Sequence, residues 1–180
     1  MTCIIGLSEN GKVYMGGDSA SVGGYRARAT RIQKVFHCNP FLIGGEGSFR
    51  MLQLLRYHLE NIRPQRTFVS GEEYLVKEFI DPVREIFKER GFTIIKDNEE
   101  KGERFMVGYK NQVYLIDSDF QVNSYVDGLV AIGCGEDFAL GAMKALCHLP
   151  PRQRIYKSLE IAAYFSGGVL PPFIIKEGLY

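Results

Sequence analysis

The chain has 180 residues, of which 46% are hydrophobic and 24% charged, and its formal net charge is +1. That balance describes one globular domain spanning residues 1–180 and excludes a disordered chain. It gives no electrostatic basis for binding nucleic acid, and no apolar run is long enough to cross a bilayer.

In chain order, apolar segments Cys3–Leu7 and Lys12–Gly16 flank Asn10-Gly11, which predicts a hairpin opening the protein. A Gly-rich link over Ser21–Gly24 leads to strand candidates around Ile32–Phe36 and Phe41–Ile43, expected to extend the same sheet. Arg26, Arg28, Arg31 and Lys34 form a short basic run that reads as a solvated face, Lys34 excepted. From Ser48, the spacing of Met51, Leu55, Leu59 and Ile62 predicts a helix stopped by Pro64. A second helix starts at the capping box Ser70…Glu73, presents Tyr74, Phe79, Val83 and Phe87, is kinked or restarted by Pro82 and ends before Gly91.

Phe105–Tyr109 and Val113–Ile116 form a second hairpin pattern about residues 110–112, and Leu129–Ile132 reads as a further strand. Helices follow with faces Phe138, Ala142, Leu146 and Ile155, Leu159, Ala162, separated by Pro150-Pro151, and Phe173–Ile175 reads as a last strand. Helices inserted between two antiparallel strand groups, with more after the second, predict an α+β chain. The expected architecture is a four-layer αββα sandwich of two antiparallel sheets between helical layers, with parallel βα arrangements the alternative. Cys3, Cys38, Cys134 and Cys147 lie far apart and His37, His58 and His148 are scattered, so reduced thiols and no metal site are expected. His58 is expected to pack on a helix face. Without a basic n-region or cleavable apolar segment at the N-terminus, a cytoplasmic protein is expected.

The chemistry starts at Met1-Thr2. Removal of Met1 exposes a residue carrying both a hydroxyl and an α-amine, and such an amine titrates at about 7.7–8.0, near enough to neutrality to act as general base. Asp18 directly follows the second hairpin strand, so strand pairing across Asn10-Gly11 brings it back beside Thr2. An ammonium at Lys34, set between Thr2 and Asp18, would lower the proton affinity of both hydroxyl and amine. Gly45 sits at a strand-to-helix junction, where a backbone N–H can serve as an oxyanion donor, or where the glycines simply make a tight turn. A phosphate loop is excluded, because Gly45-Glu46-Gly47 lacks the third glycine and the G-K-[ST] signature, and Glu46 would repel phosphate. No G-x-S-x-G elbow occurs.

Taken in order, Thr2-Cys-Ile-Ile-Gly, Gly-Gly-Asp18-Ser-Ala, Arg31-Ile-Gln-Lys34-Val-Phe, Ile43-Gly-Gly45-Glu-Gly47, Ala131-Ile-Gly-Cys134-Gly and Phe138-Ala-Leu-Gly-Ala resemble the proteasome β-subunit pattern, closest in flavour to the HslV-type peptidases of the N-terminal nucleophile (Ntn) hydrolase superfamily. The resemblance spans nearly the whole chain. It implies an αββα sandwich, a homo-oligomeric ring, and threonine-dependent hydrolysis of polypeptide substrate inside the chamber, with an ATP-dependent unfoldase as partner and no cofactor. Thr2 would be the nucleophile, Asp18 and Lys34 its activating pair and Gly45 the oxyanion donor. Cys134 would stand where the family carries a serine near the nucleophile, and Ser21, Ile32 and Ile43 would line the specificity pocket.

The chain departs from that pattern after its last helix. The family's Asp and Ser are replaced at Tyr164 and Gly167, with Ser166 near enough to compensate in part. Three functions therefore stay open: a threonine peptidase, a catalytically weak ring or scaffold protein, and a small-molecule Ntn amidase.

Overall fold

Asn10 and Gly11 both lie at positive φ, 53° and 72°, the geometry of a two-residue turn that matches strand twist. They join β1 (Ile4–Glu9) to β2 (Lys12–Gly17) with Ile4 opposite Gly17. A two-stranded ribbon, β3 (Ala20–Gly23) and β4 (Arg26–Ala29), leads to the pair β5 (Val35–Cys38) and β6 (Phe41–Gly45). The structure is a computed structural model that describes residues 1–59, 62, 70–97 and 99–179, so the expected stop at Pro64 lies outside the described residues.

Helix α1 (Phe49–His58) is capped by Ser48, whose Oγ accepts from the Arg50 N–H at 3.0 Å. Ser70 caps α2 (Gly71–Tyr74) by accepting from the Glu73 N–H at 3.0 Å. The helix then loosens into a π turn over Leu75–Phe79 and resumes as α3 (Ile80–Glu89). Pro82 explains the restart: it has no N–H for the carbonyl four residues back, so the preceding turn widens.

A small hairpin, β7 (Ile94–Lys96) and β8 (Glu99–Lys101), precedes the pair β9 (Phe105–Tyr109) and β10 (Gln112–Ile116). The short β11 (Val122–Asn123) and β12 (Leu129–Ile132) complete this region. Helices α4 (Glu136–Ala145) and α5 (Pro151–Phe165) and the strand β13 (Ile174–Glu177) end the chain.

Among the described residues every sheet pairing is antiparallel, which removes the parallel alternative. One sheet has the order β12-β1-β2-β13 and the other β11-β10-β9-β6-β5. Alternation along the strands sorts their side chains into three apolar layers. Ile4, Met15, Leu42, Met106 and Val113 fill the space between the sheets. Cys3, Ile5 and Leu7 face Ala139, Met143, Ile155 and Leu159 of α4 and α5. Phe105, Val107 and Tyr109 face Met51, Leu55, Phe79 and Phe87 of the other helical layer. The architecture is the four-layer αββα sandwich.

Three expectations need correction. Ser21–Gly24 is not a bare link, because Ala20–Gly23 pairs with Arg26–Ala29. The strands at 35–38 and 41–45 belong to the second sheet, since β6 pairs with β9 and not with the opening hairpin. On α4 the core face is Ala139, Ala142 and Met143, whereas Phe138 is exposed and stacks on Phe165 at 5.2 Å between ring centroids. A small residue at 139 lets α4 approach β12 closely; a phenylalanine there would hold it off.

Ile155 shows how tightly the outer helices are seated. It is fully buried and presses on Gly16 of β2, where no Cβ would fit. Ile155→Ala should lower stability by about 2–5 kcal/mol, measured by denaturant unfolding, because the rigid sheet beneath cannot collapse into the gap.

Candidate active site

The pairing of β1 with β2 continues one step beyond Ile4, where the Asp18 N–H donates to the Cys3 carbonyl at 3.2 Å. That turn of the ladder delivers the Asp18 carboxylate to Thr2, whose Oγ1 donates to Asp18 Oδ1 at 2.9 Å. Lys34, just before β5, reaches between the sheets and donates from Nζ to Asp18 Oδ1 at 2.9 Å and Oδ2 at 3.1 Å, and to Thr2 Oγ1. All three side chains are buried. The Asp18 carboxylate also accepts from the N–H groups of Cys3 at 2.9 Å, Ala20 at 2.6 Å and Leu170 at 3.4 Å. So many donors fix the position of the buried carboxylate.

Burial holds the Lys34 ammonium below the usual lysine range, against the opposing pull of Asp18. Desolvation thus outweighs the ion pair at this nitrogen. The neighbouring Cys3 thiol, buried between the sheet and α4, is pushed far up by the same desolvation and by Asp18, so it is an inert packing group.

The other flank is built by the chain after β12. Cys134 Sγ donates to the Thr2 carbonyl at 3.4 Å, and the Gly135 N–H donates to the same oxygen at 3.3 Å. Gly133 lies against that carbonyl at φ 101°, a position no side chain could share. Ser166 Oγ donates to Cys134 Sγ at 3.2 Å, so the serine reaches Thr2 only through the cysteine. Tyr164 and Gly167 are exposed, and the Tyr164 ring meets only Phe165 among the described ring contacts, 5.0 Å away. A carboxylate at 164 would extend into solvent, which corrects the reading of that position as part of the site.

A cavity of about 300 Å³ opens beside Thr2, walled by Ala20, Ser21, Val22, Lys34, Glu46, Gly47, Phe49 and Leu52. Of the three residues expected to line a specificity pocket, only Ser21 does so. Ile43 is fully buried among the core residues against α1, and Ile32 borders a separate hollow with Leu52 and Tyr57. Alternation explains Ile43: its neighbours on β6 present the opposite face.

Gly45 also lines the cavity, but its N–H donates to the Lys34 carbonyl at 3.0 Å. The donor expected to meet an oxyanion is therefore engaged in holding Lys34. Gly47, at φ 76° on the turn into α1, makes no hydrogen bond from its N–H among the described residues. The sequence signal for it was available, as a glycine directly before the helix-capping Ser48. Phe49 and Leu52 were not foreseen as cavity walls because α1 was read for its core face alone.

Glu46 borders the cavity and is braced by Arg104 at 2.6 Å, which also binds Glu136 at 2.9 Å. Burial raises the Glu46 carboxyl, with Arg104 acting against it. The Met1 side chain packs over Gly168 at the cavity mouth, where a Cβ would collide with it. Among the described residues, no group of three or more His, Cys, Asp or Glu side chains could hold a metal ion, and no helix is long and apolar enough to cross a membrane.

No protein-family model and no curated protein matches the sequence. Solved structures do match its fold. BPH from Thiobacillus denitrificans superposes with a TM-score of 0.80 at 15% identity, covering 97% of this chain and 96% of that one. Its complex with epoxomicin matches with a TM-score of 0.79. HslV from Trypanosoma brucei matches at 0.69 and 20% identity, covering 97% and 98% of the two chains. Anbu, an ancestral beta-subunit from Yersinia bercovieri, matches at 0.67 and 13% identity, covering 98% of this chain and 81% of that one. These neighbours are proteasome-like Ntn hydrolases, and the chain has their fold over nearly its whole length.

Lys34→Met should lower stability by about 3–5 kcal/mol, because it leaves the buried Asp18 carboxylate without its cation. The pH dependence gives an independent check. The folded Lys34 pKa lies below its ordinary value of 10.5. Between the two values the unfolded chain binds a proton that the folded chain does not, so wild-type stability gains from this group as pH rises through that window. Unfolding curves of the methionine variant should lack the gain.

Proposed function

We propose that the protein is a threonine peptidase of the proteasome β-subunit type, in which Thr2, freed by removal of Met1, is the nucleophile. The observation that carries this reading is the buried cluster in which Thr2 Oγ1 is hydrogen-bonded to both Lys34 Nζ and Asp18 Oδ1. A surface threonine needs no such company, and a buried lysine–aspartate pair is costly to maintain around a hydroxyl that does nothing.

In this mechanism Thr2 Oγ1 forms a bond to the substrate carbonyl carbon while the Thr2 α-amine takes the hydroxyl proton. Lys34, oriented by Asp18, stabilises the charge developing on Oγ1. The carbonyl oxygen becomes an oxyanion facing the Gly47 N–H. Collapse expels the amine, which leaves with the proton from the α-amine. Water, deprotonated by the same amine, then cleaves the ester and returns Thr2. The side chains of Phe49, Leu52 and Val22 favour an apolar residue in the cavity beside Thr2.

The fold neighbours support a homo-oligomeric ring; an inner chamber fed with unfolded polypeptide by an ATP-dependent partner is a further part of this proposal. The position of Met1 at the cavity mouth gives its removal a direct consequence. With Met1 in place the α-amine is an amide nitrogen and cannot act as a base.

Intact mass should show a chain lacking Met1, and Thr2→Ala should abolish hydrolysis of fluorogenic peptides while preserving the fold by circular dichroism. Hydrolysis by the alanine variant at the wild-type rate would remove the mechanism. A retained Met1 together with an inert wild type would identify a scaffold instead. Tyr164→Asp should leave peptide hydrolysis within about twofold of wild type, because that side chain faces solvent and not Thr2.

A further inference from the structure

The hollow bordered by Ile32 has a chemistry of its own. It encloses about 180 Å³ between the segment that precedes β5 and helix α1. Ile32 and Leu52 give it apolar wall, and Arg31, Gln33, Gln53 and Arg56 set polar side chains around it. Leu52 also walls the Thr2 cavity, so the hollow lies one side chain away from the space beside the nucleophile.

The two arginines lack a counter-charge. No Asp or Glu occurs among residues 19–45 or 47–59, and Glu46 between those stretches is held by Arg104 at 2.6 Å. Among the described residues neither Arg31 nor Arg56 forms an ion pair, whereas Arg84, Arg104 and Arg154 each meet a carboxylate. Arg56 is nevertheless held in place, with its guanidinium over the Phe36 ring at 5.6 Å from the centroid and over the Tyr57 ring at 5.7 Å. Stacking of this kind orients the planar fork and leaves its edge N–H groups to an anion. Arg31 sits on an equally fixed segment. The Thr30 N–H donates to the Ser19 carbonyl at 2.8 Å, the Ile32 N–H to Thr30 Oγ1 at 3.1 Å, and the Lys34 carbonyl accepts from the Gly45 N–H at 3.0 Å.

Volume limits the ligand. Sites for whole small molecules run to about 300–1,000 Å³, so a hollow of about 180 Å³ takes a side chain rather than a separate molecule. Its donors suit a carboxylate, because a guanidinium binds one through two parallel hydrogen bonds and the amides of Gln33 and Gln53 add N–H groups. Ile32 and Leu52 suit the methylenes that carry it.

We infer that this hollow is a second substrate subsite, in which Arg31 and Arg56 select a glutamate or aspartate of the peptide whose apolar residue occupies the cavity beside Thr2. The inference rests on the peptidase reading and adds a substrate class to it: peptides in which an acidic residue lies close in sequence to an apolar one.

Blocked fluorogenic peptides test it, with leucine next to the leaving group and one glutamate moved through the preceding positions, each matched by a glutamine twin. At one position the glutamate peptide should show a kcat/KM at least about tenfold above its twin, with the difference in KM, because the carboxylate is held equally before and during reaction. The same preference should appear without chemistry, as tighter binding of the labelled peptide to Thr2→Ala by fluorescence anisotropy, and should shrink as salt screens the guanidiniums. Arg31→Gln combined with Arg56→Gln should bring the ratio to within about twofold of one. Arg31→Glu, at an exposed side chain, is the second variant should the double one fail to fold: it sets a carboxylate against Arg56 and should abolish the preference as well. Glutamate and glutamine peptides cleaved alike at every position, or a preference that survives these variants, would overturn the subsite while leaving the peptidase reading intact. A wild type that cleaves nothing, with the preference kept in binding to Thr2→Ala, would overturn the peptidase reading and leave the hollow as a site for acidic peptide. Loss of both would overturn both.

Discussion

The molecule is organised around one buried charge pair. Asp18 directly follows β2 and Lys34 directly precedes β5, and they meet because those strands belong to two sheets packed face to face. Neither charge is tolerable alone in that interior, and together they are tolerable because backbone N–H groups saturate the remaining carboxylate lone pairs. Several other features follow from the need to seat this pair. Gly44 and Gly17 leave room around Ile4 and Val35 where the sheets approach. Gly45 gives up its N–H to fix the Lys34 backbone. Thr2 takes the one position from which a hydroxyl can touch both charges.

Much of this was readable from residues alone. Asn10-Gly11 fixed the first hairpin, and the hairpin fixed the return of Asp18 to Thr2, since antiparallel register is local arithmetic. The capping serine at 70 and the restart at Pro82 were equally local. What escaped were decisions made by packing. Strands β5 and β6 carry the same alternating pattern whichever sheet they join. Phe138 and Ala139 differ in size, and periodicity weighted the larger one although the helix needed the smaller. The hairpin of β7 and β8 is only three residues a side and sets its two isoleucines next to each other without alternation, so it left no period to find.

The site shows the same division. Thr2, Asp18 and Lys34 are brought together as expected, because their neighbourhood follows from strand order. The cavity walls are not, because they depend on side-chain direction across an interface. Ile43 points into the core and Gly45 points its N–H at a carbonyl, while Gly47, two residues on, lines the cavity. A shift of two residues along one turn separates an engaged amide from one without a partner among the described residues, and no spacing rule resolves that difference. The departure at Tyr164 was legible as a departure, but its consequence was not: the helix end carries that side chain outward, and Ser166 acts through Cys134.

The crowding of Met1 against Gly168 has a bearing on how the chain can be joined to anything else. Thr2 leads into β1, which is flanked by β12 on one side and β2 on the other, and Met1 before it stands exposed at the cavity mouth. Any segment attached ahead of Thr2 therefore starts at the mouth of the cavity that Met1 lines. On the proposed peptidase reading an amino-terminal fusion would be a tethered competitor for that cavity, whereas β13 runs along the edge of the sheet.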